Sequence, residues 1–181
     1  MPLKLLGLCG SLRSSSSNKA LLSAAQRLQP EGVEILTYDG IGTLPHFSPD
    51  LDDDGLLPEA PAALRETVAM ADGLLIACPE YMHCLPGSFK NALDWMVGCQ
   101  KFPGKPVALF QATSRHEYVP AMLRDVLKTM SADVVEEACF TLPASTNLIT
   151  AEDLAADPFI AETIREKLRL FAAMLASGRQ S

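Results

Sequence analysis

The chain has 181 residues, 48% hydrophobic and 20% charged, with a formal net charge of −7. That length suits a single domain, 1–181, with a sizeable core, and the acidic balance disfavours nucleic acid or an anionic membrane as partner. No apolar run approaches the roughly 20 residues of a bilayer span, and five cysteines without a Cys-x-x-Cys pair argue against a disulfide scaffold and a structural zinc site.

The first predicted strand is the apolar run 3–9. A charged, polar loop follows it at once, so it does not read as a secretion leader, and a cytoplasmic protein is expected. The loop is Gly10-Ser11-Leu12-Arg13-Ser14-Ser15-Ser16-Ser17-Asn18, and a helix is predicted over 18–28. A buried strand, a loop of small residues and a helix N-terminus form an anion site, because free N–H groups and the positive end of the helix dipole point outward there. Residues 1–30 reinforce it, holding Lys4, Arg13, Lys19 and Arg27 and no acidic residue. The loop lacks the Gly-Lys-Ser/Thr ending of a Walker A site and the three spaced glycines of the dinucleotide fingerprint. What remains is a hydroxyl-rich loop of the flavodoxin type, in which side-chain hydroxyls and backbone amides wrap one terminal phosphate. The competing reading is a serine-rich turn with Asn18 or Ser17 as helix N-cap.

A second strand is predicted at 33–37. The irregular stretch from Asp39 to Leu57 then carries Pro45, Pro49 and Asp52-Asp53-Asp54, and a solvated acidic loop is the expectation there. A helix at 58–71 and a strand at 73–78 lead to Pro79-Glu80-Tyr81-Met82-His83-Cys84-Leu85-Pro86-Gly87. Pro79 and Pro86 stiffen this loop, so it is suited to presenting backbone N–H groups to a flat ring. Glu80 equally reads as a helix cap or an ion-pair partner, Tyr81 as a packing aromatic and His83 as an exposed histidine. Helix 87–98 places Lys90 and Asp94 one turn apart and Leu93 and Trp95 in the core or a subunit interface.

Strand 105–111, helix 117–131, strand 134–141 and helix 158–176 complete the pattern, with a frayed tail after Leu175. Short continuous hydrophobic strands are covered on both faces. Five βα units therefore predict an α/β, flavodoxin-like three-layer sandwich: a five-stranded parallel sheet with helices on both faces. Ligands bind such sheets beyond the carboxyl ends of the strands, where strand order reverses. There is no Gly-x-Ser-x-Gly elbow, which argues against a serine hydrolase.

Gly-Ser-Leu-Arg-x-x-Ser-x-Asn at 10–18, Pro-Glu-Tyr at 79–81 and Pro-Gly-x-x-Lys-Asn-Ala-x-Asp-Trp at 86–95 together resemble the NADPH-dependent FMN reductase family over about residues 3–131. The resemblance implies non-covalent FMN, NADPH or NADH as donor, and ping-pong reduction of quinones, free flavin or a similar small-molecule acceptor. It also implies a homodimer or homotetramer with the flavin near a subunit interface. By the match, Ser11, Arg13, Ser16, Ser17 and Asn18 bind the phosphate, and Pro79, Glu80, Tyr81 and Met82 line the isoalloxazine. Ser114 is a further flavin contact, and Arg115 and His116 are candidates for an anionic substrate or the NADPH phosphate. The chain departs from the family pattern at Met82 and Cys84, where Asn and Ser are usual, and in a glycine-poor loop at 113–120. Two rival readings are a flavodoxin-like electron-transfer module with an acidic face and a flavin-deficient binding protein.

Overall fold

The computed structural model describes residues 2–53, 55–112, 117–142 and 149–178. Strands β1 (Leu3–Cys9), β2 (Val33–Tyr38), β3 (Gly73–Ala77) and β4 (Pro106–Gln111) follow the hydrophobic runs closely. They pair in parallel, with β5 (Asp133–Val134) completing the order β2-β1-β3-β4-β5. Alternate side chains of each strand go to opposite faces, so both faces need cover. Leu5, Leu75, Ala108 and Phe110 pack under α1 (Ser17–Arg27), α5 (Ala151–Ala156) and α6 (Pro158–Gly178). Leu6, Leu8, Leu74, Ile76, Val107 and Leu109 pack under α2 (Glu59–Met70), α3 (Gly87–Met96) and α4 (Val119–Thr129). The three-layer, flavodoxin-like sandwich is therefore as expected. No helix among the described residues is long and apolar enough to cross a membrane.

The fifth strand differs from expectation. The run 134–141 splits into β5 and a separate β6 (Phe140–Thr141), both paired with β4, with a 3-10 turn at Glu136–Ala138 between them. Glu and Ala are poor strand formers, and Glu136 turns out to meet Arg124 on α4 through two bonds of 2.6 and 2.7 Å. Cys139 Sγ accepts the Leu109 N–H at 3.3 Å across the gap.

One element goes beyond the sequence reading and one expectation is corrected. Helix α5 was not anticipated, although Thr150 and Asp153 form a reciprocal capping box at its start, with Thr150 Oγ1 accepting from Asp153 N at 3.1 Å and Asp153 Oδ2 accepting from Thr150 N at 2.9 Å. The chain after Leu175 does not fray at once, because α6 continues to Gly178.

Candidate functional site

β1 and β3 are neighbours in the sheet, and the chain leaves them in opposite lateral directions, to β2 and to β4. Their carboxyl ends are thus the place where strand order reverses. The loops 10–16 and 78–86 both emerge there. Gly10 N–H donates to Ala77 O at 2.8 Å, tying the start of one loop to the end of the other strand. A Cβ on Gly10 would lie 2.8 Å from Cys78 Sγ and 3.1 Å from Pro79 Cδ, so the loops pack at a distance only glycine permits. Burial raises the thiol pKa of both Cys9 and Cys78, which pack as neutral thiols, Cys78 buried and Cys9 partly so.

The first loop turns on Ser11. Its buried hydroxyl receives the Arg13 N–H at 3.4 Å and lies 3.5 Å from the Tyr81 hydroxyl of the second loop. Helix α1 starts at Ser17, and its N-cap is Ser16, whose Oγ accepts from Lys19 N at 3.5 Å. This corrects the expectation that Asn18 or Ser17 caps the helix. No acidic side chain lies in the first turn to offset the exposed N–H groups. The Arg13 side chain is exposed above the loop, and Ser17 is half-buried. Asn18 is buried, and its Oδ1 has no hydrogen-bond partner among the described residues. A buried carboxamide oxygen without a partner is costly unless a ligand completes it.

FMN fits this cradle. A phosphate can accept from serine hydroxyls, helix amides and a guanidinium, and ribityl hydroxyls can donate to a carboxamide oxygen. Two clefts flank the loop. One, about 270 Å³, is lined by Ser11, Leu12, Lys19, Tyr38 and Asp39. The other, about 410 Å³, runs between α1 and α5 past Ser14, Ser15, Lys19, Arg27 and Thr150.

The second loop is a miniature hairpin. Tyr81 and Cys84 exchange two backbone bonds of 3.0 Å, and the turn residues Met82 and His83 have φ of +51° and +60°. Two non-glycine residues in the left-handed region imply a two-residue turn of the primed type. Such backbones persist where the surroundings over-determine them. Asn tolerates this conformation well and Met does not, so the departure at Met82 falls at a strained position. Pro79 is buried, Glu80 is half-buried, Tyr81 is exposed and Met82 is 95% exposed.

Glu80 carries out the capping role that its residue type allowed. Its Oε2 accepts the N–H groups of Tyr118 and Val119, at 2.8 and 3.0 Å, at the start of α4. The His83 ring stacks on Tyr118 with centroids 4.4 Å apart and planes 16° apart. Tyr118 was not anticipated; the only sequence signal was Pro120 at the second position of a helix. Ser114, Arg115 and His116 lie outside the described residues. Lys90 and Asp94 pair at 2.6 Å, and Leu93 and Trp95 are core.

The 39–57 segment is the expected solvated loop at Asp50 and Asp53, which are exposed, but it is also tied to the fold. Its Pro45 carbonyl accepts from Asn91 Nδ2 at 2.9 Å and Trp95 Nε1 at 2.8 Å, and Phe47 sits edge-on to Trp95. Asp52 pairs with Arg65, each side chain largely shielded, and Arg65 Nε also donates to Trp95 O at 2.7 Å. The segment is thereby fastened to α3, the helix that the second loop leads into.

A family model described as NADPH-dependent FMN reductase matches residues 3–147. The chain belongs to that family. The match runs past the 3–131 stretch that the motifs had outlined, and it brings with it FMN as cofactor and NAD(P)H as electron donor. An NAD(P)H-dependent FMN reductase of Pseudomonas aeruginosa is 34% identical over 175 residues, 92% of each chain. A 2-hydroxy-1,4-benzoquinone reductase from a Burkholderia species is 44% identical over 112 residues, 60% of each; the matched stretch therefore spans only about three-fifths of that relative. Among solved structures, the flavoenzyme NAD(P)H:(acceptor) oxidoreductase FerB from Paracoccus denitrificans superposes with a TM-score of 0.81 at 26% identity, covering 97% of this chain and 98% of that one.

Proposed function

We propose that this FMN reductase holds its flavin across the β1 and β3 loops and reduces quinones or related small acceptors with NAD(P)H. The observation that carries the reading is the joining of the two loops: Gly10 bonded to Ala77, and Ser11 within 3.5 Å of Tyr81. A hydroxyl-rich anion cradle and a rigid amide-bearing hairpin stand side by side, as one ligand with a phosphate at one end and a flat ring at the other requires.

In this reading Ser11, Ser16, Ser17 and Asn18 bind the phosphate end, aided by the free amides of α1. Arg13 neutralises phosphate charge by forked hydrogen bonds. Pro79, Glu80, Tyr81 and Met82 present backbone to the ring, and Ser114 adds a contact from the loop after β4. Bound FMN supplies the chemistry of accepting a hydride from a nicotinamide and passing two electrons to an acceptor. The protein orients the cofactor and stabilises negative charge with backbone N–H groups, so no side chain is assigned as acid or base. The Burkholderia relative's name, a benzoquinone reductase, supports a planar quinone as acceptor.

A homodimer or homotetramer completes the proposal, since Tyr81, Met82 and Tyr118 are large exposed groups around the site. A cytoplasmic setting agrees with five free cysteines. The electron-transfer alternative leaned on the acidic run at 50–54, and Asp52 is engaged with Arg65 rather than offered to a partner. The test is direct: protein loaded with FMN should oxidise NADPH or NADH in the presence of a benzoquinone without any partner protein. Turnover only when a protein acceptor is added would overturn the enzyme reading in favour of an electron carrier.

A further inference from the structure

We infer that Glu80 is a positioning residue for the flavin-facing hairpin, acting through helix α4 rather than by touching the cofactor with its carboxylate. The inference rests on the flavin reading above and deepens it. The first N–H groups of a helix lack intrahelical partners. Tyr118, the N-cap of α4, makes no side-chain cap of its own. The missing acceptor is supplied from 38 residues away, as Glu80 Oε2 takes both Tyr118 N–H at 2.8 Å and Val119 N–H at 3.0 Å. Its negative charge also suits the positive end of the α4 dipole.

Two more contacts close the same seam. The His83 ring lies on the Tyr118 ring at 4.4 Å, and Cys84 Sγ sits 3.7 Å from Met122 Sδ, one turn further along α4. Carboxylate, ring and thiol thus clasp residues 80, 83 and 84 to the first turn of α4. The clasp answers the strain at the hairpin tip. Met82 and His83 sit at φ +51° and +60°, which a free loop would relax. The core does not enforce that turn, because Tyr81, Met82, His83 and Cys84 are all exposed. Glu80 therefore fixes where the Tyr81–Cys84 amides stand relative to the Ser11 cradle.

The experiment compares wild type, Glu80→Ala and Glu80→Gln as apoproteins titrated with FMN. The readouts are affinity, the shape of the bound flavin's visible absorption band, and the melting temperature before FMN is added. Loss of a helix cap is worth about tenfold in an equilibrium constant. Glu80→Ala is expected to weaken FMN by about tenfold and to alter the band. Glu80→Gln, whose amide oxygen still accepts two N–H groups, is expected to recover most of the affinity and the wild-type band. His83→Ala, which removes only the ring stack, should weaken FMN in the same direction by a smaller factor, and it stands in should Glu80→Ala not fold. A Glu80→Ala protein with wild-type affinity and band shape overturns the inference alone. So does a Glu80→Gln protein as impaired as Glu80→Ala, because a hydrogen-bond acceptor would then not be what matters. Wild type that binds no FMN instead overturns the flavin reading, and this role with it.

Discussion

Replacing Asn18 with leucine should raise the stability of the flavin-free protein while weakening flavin binding. Asn18 is 4% exposed, and its Oδ1 is buried without a partner among the described residues. A buried acceptor left unmatched costs about 1–3 kcal/mol. Leucine keeps the branched shape, with bulkier methyl ends, and removes the polar atoms. It forgoes whatever the amide nitrogen contributes, so the net gain should be about 1 kcal/mol. For a domain of this size that is about 2–4 °C in melting temperature. Bound FMN reverses the sign. Asn18 Oδ1 then accepts from a ribityl hydroxyl, and leucine would leave that donor unmatched at a cost of about 1–3 kcal/mol, roughly five- to 150-fold in affinity. The assay is calorimetry on the apoprotein together with an FMN titration. An Asn18→Leu protein that melts below wild type, or that binds FMN as tightly, would refute the claim that Asn18 is held in reserve for the cofactor.

Arg13, exposed at the mouth of the first loop, should lose about 1.5–3 kcal/mol of FMN affinity when changed to alanine, with little change in apoprotein stability; equal affinity in a titration would remove it from the phosphate site. Met82→Asn relieves a left-handed backbone at φ +51° and should stabilise the protein by about 0.5–1 kcal/mol, read as a higher melting temperature; a lower one would mean that the methionine side chain makes a contact of its own. Glu136 has its pKa held below the usual carboxylate value, chiefly by the hydrogen bond from Arg124. A depressed folded-state pKa gives stability that is present above the unfolded value, about pH 4.3, and lost as pH falls through the folded one. Glu136 is exposed and Arg124 half-buried, so solvent screens the pair and it is worth about 0.5–1 kcal/mol. Wild type should therefore melt above Glu136→Gln at pH 7, with the gap closing in acid; a gap that widens in acid would contradict the sign.

Four of the five predicted strands were legible because a doubly covered parallel sheet writes itself as short unbroken apolar runs such as Leu74-Leu75-Ile76-Ala77. The fifth was not, because Val134-Val135 and Phe140 satisfy the same pattern while Glu136 leaves the sheet for Arg124, a tertiary contact 12 residues away. Helix α5 was missed through its length: six residues carry no period, and only the Thr150–Asp153 box betrayed it. Asp52 read as solvent-facing, since nothing local marks Arg65 as its partner. At the site, the residue types of loop 10–18 announced an anion cradle, yet the helix began one residue earlier than its asparagine suggested. Glu80 shows the limit most clearly. Its motif placed it in the flavin loop, and only the folded chain shows its carboxylate turned to α4. The strain at Met82 is likewise invisible in sequence, since methionine does not favour a positive φ.

The most direct measurement compares the affinities of the apoprotein for FMN and for riboflavin, which differ only in the phosphate. If the loop from Gly10 to Asn18 grips that phosphate, two charge-assisted hydrogen bonds at the low end of their range give about 3 kcal/mol, so FMN should bind at least about a hundredfold more tightly. Equal affinity for the two flavins would contradict the account at its root.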